Sequence, residues 1–479
     1  MSGIRAPAHV LADLWARAGL PAEALASAHL TGTSPVFASS FPVGTAAQTT
    51  VAAAALAACE LGHLRGTARQ RVEVDMTHAA VEATGWFSLD GTAPDLWDAF
   101  SGLYRCADGH VRIHANFVHH REGAMRLLGL EPTTAKRGDV ERALLDRRAI
   151  DFENAAAERG LVVTALRRFD EWDATPQGQA VRAQPLFTIE RIGDAPPLPL
   201  PALAGDNACH PLAGVRVLDL TRILAGPVGG RTLAAYGADV MLVNSPSLPN
   251  IAAIADTSRG KLSALADLRT DEGRQALQGL IAGTHVFVQG YRPGGIDELG
   301  FGAQAVARQR PGIVHVSLSA YGTRGPWAGR RGFDSLVQTA MGFNHAEGEA
   351  AGDGKPRPMP MQILDEATGY LIAFCSTVAL GRQQREGGSW EVKLSLAQTA
   401  HWLRGLGRVS GGLSTTVPDR EPYLETADSG FGLLRAVRHS ALIGGGAPPA
   451  ARLRPLMPPG SHPPSWPPTG SGADNAREP

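Results

Sequence analysis

Four residues in one short stretch have the types and spacing to hold an anion. They are Gly226, Pro227, Gly229 and Gly230, in DLTRILAGPVGGRTLAAYGADV. They follow an apolar run, Val215–Leu220, that reads as a buried strand, and they precede a helix over Arg231–Tyr236 with Gly237 at its C-cap. A glycine-rich turn feeding a helix N-terminus offers free N–H groups and a favourable dipole to a phosphate or carboxylate. The spacing is not G-x-G-x-x-G, so an ordinary buried βα turn fits equally. Asp365, in QILDEATGYLIAFCSTVALGRQQR, stands where another helix begins; read alone, it is an N-cap accepting a first-turn N–H. His114, His119 and His120 crowd HANFVHH, yet no carboxylate or cysteine stands beside them at ligand spacing. They read as surface or hairpin packing, not as a metal site. The only lysines are Lys136, Lys261, Lys355 and Lys393, so a lysine inside a motif draws notice.

The elements around these stretches alternate. Strand-like runs near 215–220, 240–243, 285–289 and 313–318 are separated by helices such as Glu272–Ile281 and Gly302–Arg308. That pattern argues an α/β fold with an open, mostly parallel, Rossmann-like sheet and ligand loops at the carboxyl ends of its strands. Those loops carry LTRILAGP, QGYRPGG and SAYGTRGPWAGRRGFD. Ahead of them come a helical lead-in, an Ala-rich helix over Ser39–Leu64, a strand at Arg71–Met76 and a helix at Thr77–Thr84. A hairpin over Leu103–Ala115 turns at Asp108-Gly109, and helices follow at Glu122–Leu130 and Val140–Gly160. The segment Ala68–Ala80, ARQRVEVDMTHAA, repeats weakly as Gly388–Ala400, GSWEVKLSLAQTA; each copy follows an Ala-rich helix and a glycine turn.

With 479 residues the chain has room for about two or three domains. A hydrophobic content of 44% and a charged content of 19% suit a globular enzyme, and a net charge of −1 leaves no electrostatic footprint for nucleic acid or an anionic membrane. Met1–Leu20 carries charges and no apolar h-region, and the Ala-rich run Thr50–Leu61 is too short and too weakly apolar to span a bilayer. Cys59, Cys106, Cys209 and Cys375 lack C-x-x-C spacing and read as reduced thiols. A cytoplasmic protein is the expectation.

DLTRILAGPVGGRTLAAYGADV closely resembles the opening segment of the class III CoA-transferases, the CaiB/BaiF family. The likeness continues in order through Arg259–Lys261, Val288–Gly294, Ser319–Pro326, Gly329–Asp334 and Asp365–Gly369, over about residues 212–405. The resemblance implies an enzyme that moves coenzyme A between an acyl-CoA and a carboxylic acid. Coenzyme A is then a substrate, and no metal or permanently bound cofactor is implied. Asp365 matches the family's catalytic aspartate, which attacks the thioester to give a mixed anhydride and then an aspartyl-CoA thioester. On this view the helix N-terminus keeps Asp365 ionised and supplies N–H groups to the oxyanion. The resemblance further implies CoA contacts at Arg222, Lys261, Arg292 and Arg331, and puts Tyr321, Gly322, Asp334 and Gly369 near the substrate.

Tyr104–Ile113 and Asp170–Ala180 resemble pieces of the family's smaller α+β domain, which here comes before the large domain rather than after it. The expected organisation is a helical lead-in over 1–35 and a degenerate transferase-like half over 36–194. A Pro-rich linker over 195–212, a CoA-binding catalytic domain over 213–410 and a tail over 411–479, disordered from about 447, complete it. In the first half Ser40 or Thr45 takes the aspartate's place, depending on how the gap is set, and neither can form an anhydride. Family members form interlocked dimers, so a homodimer is compatible with the chain. Two alternatives stay open. One is an α-methylacyl-CoA racemase of the same superfamily, whose histidine would stand where this chain has Phe333, a residue that exchanges no proton. The other is a non-catalytic acyl-CoA-binding protein.

Overall fold

Small side chains let the centre of this protein be built from helices in close contact. The computed structural model describes residues 4–203, 209–445 and 454–467. Strand β1 (Ala28–Thr31) leads to helix α1 (Val43–Leu64), whose alanines are buried along its length. Strand β2 (Val72–Asp75) and helix α2 (Met76–Glu82) follow. A separate antiparallel sheet then forms from β3 (Gly102–Arg105), β4 (His110–Ile113) and β5 (Val163–Ala165). The helix expected over Val140–Gly160 is two, Arg137–Leu145 and Ala149–Glu158. They separate where Asp108, from the β3–β4 turn, accepts the Ala149 N–H at 2.8 Å.

The main sheet takes its first strand from this half of the chain. Strand β6 (Phe187–Gly193) is followed by β7 (Arg216–Leu220), helix α3 (Ala225–Ala235), β8 (Asp239–Asn244), β9 (Lys261–Leu265), β10 (Val286–Gln289) and β11 (Val314–Ser319). Helices α4 (Asp334–Ala340) and α5 (Ile363–Glu386), strand β12 (Ser389–Ser395) and helix α6 (Leu396–Gly405) complete the unit, and β13 (Ala441–Ile443) lies beyond it. The sheet order is β9-β8-β7-β10-β11-β12-β6, with every pair parallel except β6 against β12. Near-continuous apolar runs such as Val286–Gln289 suit parallel strands covered on both faces. The four strands expected from the sequence all belong to this sheet; Lys261–Leu265 was not anticipated as a strand. Helix α5 is long and apolar enough to pass for a membrane span, with a mean hydropathy of 1.4 over its best window, yet that window is wholly buried inside the protein.

The internal repeat is structural. Val43 opens α1 and Ile363 opens α5, and at the same offset Asp75 ends β2 and Ser395 ends β12. Each of these last two caps the next helix: Asp75 accepts from the His78 N–H at 3.0 Å and Ser395 from the Gln398 N–H at 3.1 Å. At that offset Thr45, not Ser40, falls in the place of Asp365.

Two sequence expectations are corrected. The chain beyond Gly411 is not a tail, because strands Leu424–Ser429 and Gly432–Val437 form a sheet with Phe87–Leu89, and β13 pairs with β2. The disorder expected from about 447 does not extend to 454–467. There the His462 N–H donates to the Ser263 carbonyl at 2.9 Å, the Ser263 N–H donates to His462 Nδ1 at 3.1 Å, and Trp466 Nε1 donates to the Leu280 carbonyl at 2.8 Å. This segment covers the open edge of β9; residues 446–453 and 468–479 lie outside the described residues. The Pro-rich linker is tied down where it is described, with Arg65 donating to the carbonyls of Pro201, Pro211 and Ala213.

Candidate active site

Two helix N-termini meet at a pair of carboxyl groups. Asp334 is the first residue of α4 and is fully buried. Its Oδ2 accepts the backbone N–H groups of Leu364 at 2.7 Å and Asp365 at 2.9 Å, and its Oδ1 accepts from Gln338 Nε2 at 2.5 Å. Asp334 therefore caps α5 from a neighbouring helix and satisfies two of its orphan donors. Asp365 is the third residue of α5, behind the N-cap Gln362. The reading of Asp365 as an N-cap is thus corrected. Its side chain is 8% exposed and makes no hydrogen bond or ion pair among the described residues.

Burial, and then the adjacent Asp334, push the Asp365 carboxyl well above the usual carboxylate range. Burial raises Asp334 as well, against its hydrogen bonds from Asp365, Gln338 and Leu364. The expected ionising effect of the helix N-terminus does not prevail, because the N–H groups closest to Asp365 are taken by Asp334.

The glycines of AGPVGGR are not in a loop. They lie inside α3, where an interior glycine costs roughly 1 kcal/mol relative to alanine. Close packing explains them. A Cβ on Gly229 would stand 2.8 Å from Ile372 Cγ2, and one on Gly369 would stand 2.7 Å from both the Ala225 carbonyl oxygen and Val228 Cβ. Helices α3 and α5 thus cross one turn beyond Asp365, and Gly369 serves that crossing. A Cβ on Gly230 would lie 2.3 Å from Asp219 Oδ2 and 2.7 Å from Lys261 Nζ. Immediately before α3, Ile223 holds a φ of +78°, strained for a β-branched residue.

Lys261 is not in an open loop either. It begins β9 with its side chain fully buried, and Nζ donates to Asp219 Oδ2 and to the Pro227 carbonyl, both at 2.8 Å. Burial lowers its pKa and Asp219 opposes that shift. In this arrangement its charge is matched inside the sheet and does not face a phosphate from solvent, which corrects the sequence expectation. Arg292 is exposed and pairs with Glu298 at 3.3 Å. Arg222 donates to the Pro249 carbonyl and lies 5.6 Å from the Phe117 ring centroid, with its Nε buried and without a partner. Arg331 is exposed. Burial first, then the charges of Arg331 and Arg222, lower the pKa of His119, so these two arginines converge beside the small sheet.

The first half of the chain also shapes the site. Gln177 Nε2 donates to the carbonyls of Tyr321 at 2.9 Å and Arg324 at 3.0 Å, and its Oε1 accepts the Trp327 N–H at 2.7 Å, fixing the loop after β11. Tyr321 is buried edge-on to Trp327 and shares a hydrogen bond with Thr164 of β5; burial pushes its phenol up to about 12. Gly322, at φ +89°, makes the left-handed turn that follows. Phe333, the N-cap of α4, stacks on His114 with ring centroids 4.0 Å apart. His114 and His120 are buried, and burial pushes both down to about 3, helped by Arg112 for His114 and by His119 and Arg331 for His120. These histidines were read only as packing against a metal alternative. The missed signal is the alternation in VRIHA, which sets Arg112 and His114 on the strand face opposite Val111 and Ile113. Among the described residues no group of three or more His, Cys, Asp or Glu could hold a metal ion.

Comparison with known proteins matches residues 212–422 to the model of CoA-transferase family III. The chain is 27% identical to an acyl-CoA transferase of Gibberella moniliformis over 376 residues, covering 70% of this chain and 66% of that protein. It is 32% identical over 212 residues to a probable fatty acyl-CoA transferase of Mycobacterium tuberculosis, covering 41% of this chain and 53% of that one. Against a succinate–glutarate CoA-transferase of Agrobacterium fabrum it is 31% identical over 209 residues, covering 40% and 52%. The chain spans between about half and two thirds of the length of these relatives.

Proposed function

From the CoA-transferase family III match of residues 212–422, we propose that this protein moves coenzyme A between an acyl-CoA and a carboxylic acid, with Asp365 as the residue that carries the intermediates. The observation that supports this reading is the state of Asp365. It is a nearly buried carboxyl without a hydrogen-bond partner, held in the first turn of α5 by a second carboxyl, and strongly perturbed. Perturbed groups of this kind concentrate at reacting centres.

The chemistry follows from a carboxylate nucleophile. An Asp365 oxygen attacks the thioester carbonyl carbon; the C–S bond breaks, and coenzyme A leaves as thiolate with the bonding pair. The thiolate attacks the aspartyl carbonyl of the anhydride and expels the donor acid as its carboxylate. Asp365 now carries coenzyme A as a thioester. The acceptor carboxylate attacks that carbonyl and displaces the thiolate, which then attacks the acceptor's acyl carbon and frees Asp365 as carboxylate. No net proton is taken up.

In this reading Asp334 is a positioning residue, and Arg222, Arg331 and Arg292 are the side chains offered to the anionic groups of coenzyme A. Tyr321 and Gly322 shape the loop beside the site, and Lys261 holds α3 against β9 rather than binding ligand. Thr45 gives the first helix copy no nucleophile, so one reacting centre per chain is expected. Phe333 supports transfer over racemisation because an aromatic hydrocarbon ring exchanges no proton. The test is to incubate the protein with a panel of acyl-CoAs and free acids and follow coenzyme A by mass. New acyl-CoAs support the reading; binding without exchange across the panel favours the non-catalytic alternative.

A further inference from the structure

Strand β4 has two faces. Val111, Ile113 and Ala115 enter the core of the small sheet, while Arg112 and His114 project on the other side. On that side their polar atoms find no partners. Arg112 Nε, both ring nitrogens of His114 and both of His120 are buried with no hydrogen bond, in residues 7%, 5% and 5% exposed. Native interiors seldom gather so many unsatisfied polar atoms in one place.

The rings are held rather than loose. His114 lies flat on Phe333, Trp97 stands edge-on to His114 at 5.8 Å, and the Arg112 guanidinium sits 5.2 Å from the Trp97 ring centroid. Phe117 stands edge-on to His120 at 5.9 Å. Phe333 directly precedes Asp334, which holds the Asp365 N–H, so this wall borders the reacting carboxyl.

The chemistry of the wall selects its ligand. Arg112 brings a positive charge, Arg331 adds another beside His120, and each neutral imidazole offers one N–H. An alkyl chain would leave all of these groups orphaned, and a hydroxyl would satisfy few of them. A carboxylate presents about four lone-pair sites on two oxygens and matches a wall of donors.

We propose that Arg112, His114 and His120 bind the distal carboxylate of a dicarboxylic substrate, so that the acids exchanged at Asp365 carry a second carboxyl group. This rests on the transferase reading of the Asp365 site.

Titration calorimetry on the full chain tests it with matched thioesters, succinyl-CoA against butyryl-CoA and adipoyl-CoA against hexanoyl-CoA. The expected result is a preference of at least tenfold for the dicarboxylic thioester in one or both pairs. His114→Leu and His120→Leu should each cut that preference fivefold or more, and His114→Gln, which keeps a donor, should cut it less. No preference in the wild-type protein overturns the proposal without any variant, as does a preference untouched by both leucine substitutions. Coenzyme A exchange, followed by mass with monocarboxylic pairs, separates the two readings. Exchange without discrimination removes the dicarboxylate site and leaves the transferase. Discrimination without any exchange leaves the site and removes the activity.

Discussion

Oδ2 of Asp334 accepts the backbone N–H of Asp365 at 2.9 Å. One carboxyl therefore fixes the main chain of the other while its charge opposes ionisation of that neighbour's side chain. Positioning and pKa of the proposed nucleophile are set by the same residue.

That double role separates two substitutions. Asp334→Asn removes the charge and keeps an acceptor oxygen, so the Asp365 pKa falls and the acid limb of the pH–rate profile moves to lower pH. Asp334→Ala orphans the buried N–H groups of Leu364 and Asp365 and is expected to cost about 1–3 kcal/mol of stability as well as activity. Transfer rates across pH, with urea unfolding of both variants, check the pair.

Stability should respond to pH through Asp365. Its folded-state pKa is raised above the unfolded value near ~3.9. Its favourable contribution is therefore complete below the unfolded value and is lost as pH rises through the folded value. Asp365→Asn removes this liability. At pH 8 the variant should melt above the wild type, and the two should converge towards pH 4; thermal melts across that range decide it.

Lys261 and Asp219 form a fully buried pair. Lys261→Met leaves an uncompensated carboxylate in the sheet and should cost about 3–5 kcal/mol in urea unfolding. Gly230→Ala, which drives a Cβ into both partners, should destabilise in the same direction. A Lys261→Met protein of unchanged stability but weakened coenzyme A affinity would return this lysine to the ligand.

Thr45 is buried, and its hydroxyl has no partner. Thr45→Val keeps the shape and removes an unsatisfied polar atom, so the melting temperature should hold or rise, with a gain of up to about 1 kcal/mol, and transfer should persist. Lost transfer in a stable Thr45→Val protein would mean that the first helix copy takes part in the reaction.

The sequence made the parallel sheet and the place of Asp365 legible, because apolar runs of strand length and the resemblance of GFD and LDEATG need no long-range information. It misassigned the glycines of AGPVGGR. Glycine is equally the mark of a turn and of a close helix crossing, and only the approach of Ile372 and Asp219 distinguishes the two. It misread Lys261 because its partner Asp219 lies on another strand of the sheet, two strands away. The chain beyond 411 was lost because its short strands, such as Ala441–Ile443, exist only by pairing with Val72–Asp75 from the other end of the molecule. The wall of Arg112 and His114 was present as a two-residue alternation, but nothing in the spacing shows that it faces Phe333.

The most direct test of the central claim is a covalent trap on Asp365. The protein is incubated with acyl-CoA and hydroxylamine, digested, and the peptide spanning 363–382 is sequenced by mass. An acylated or CoA-linked Asp365 is electrophilic, so the account predicts a hydroxamate on that side chain, dependent on acyl-CoA and absent in Asp365→Asn, which should also lack transfer. Turnover with Asp365 unmodified, or an Asp365→Asn variant that transfers coenzyme A at the wild-type rate, would contradict it.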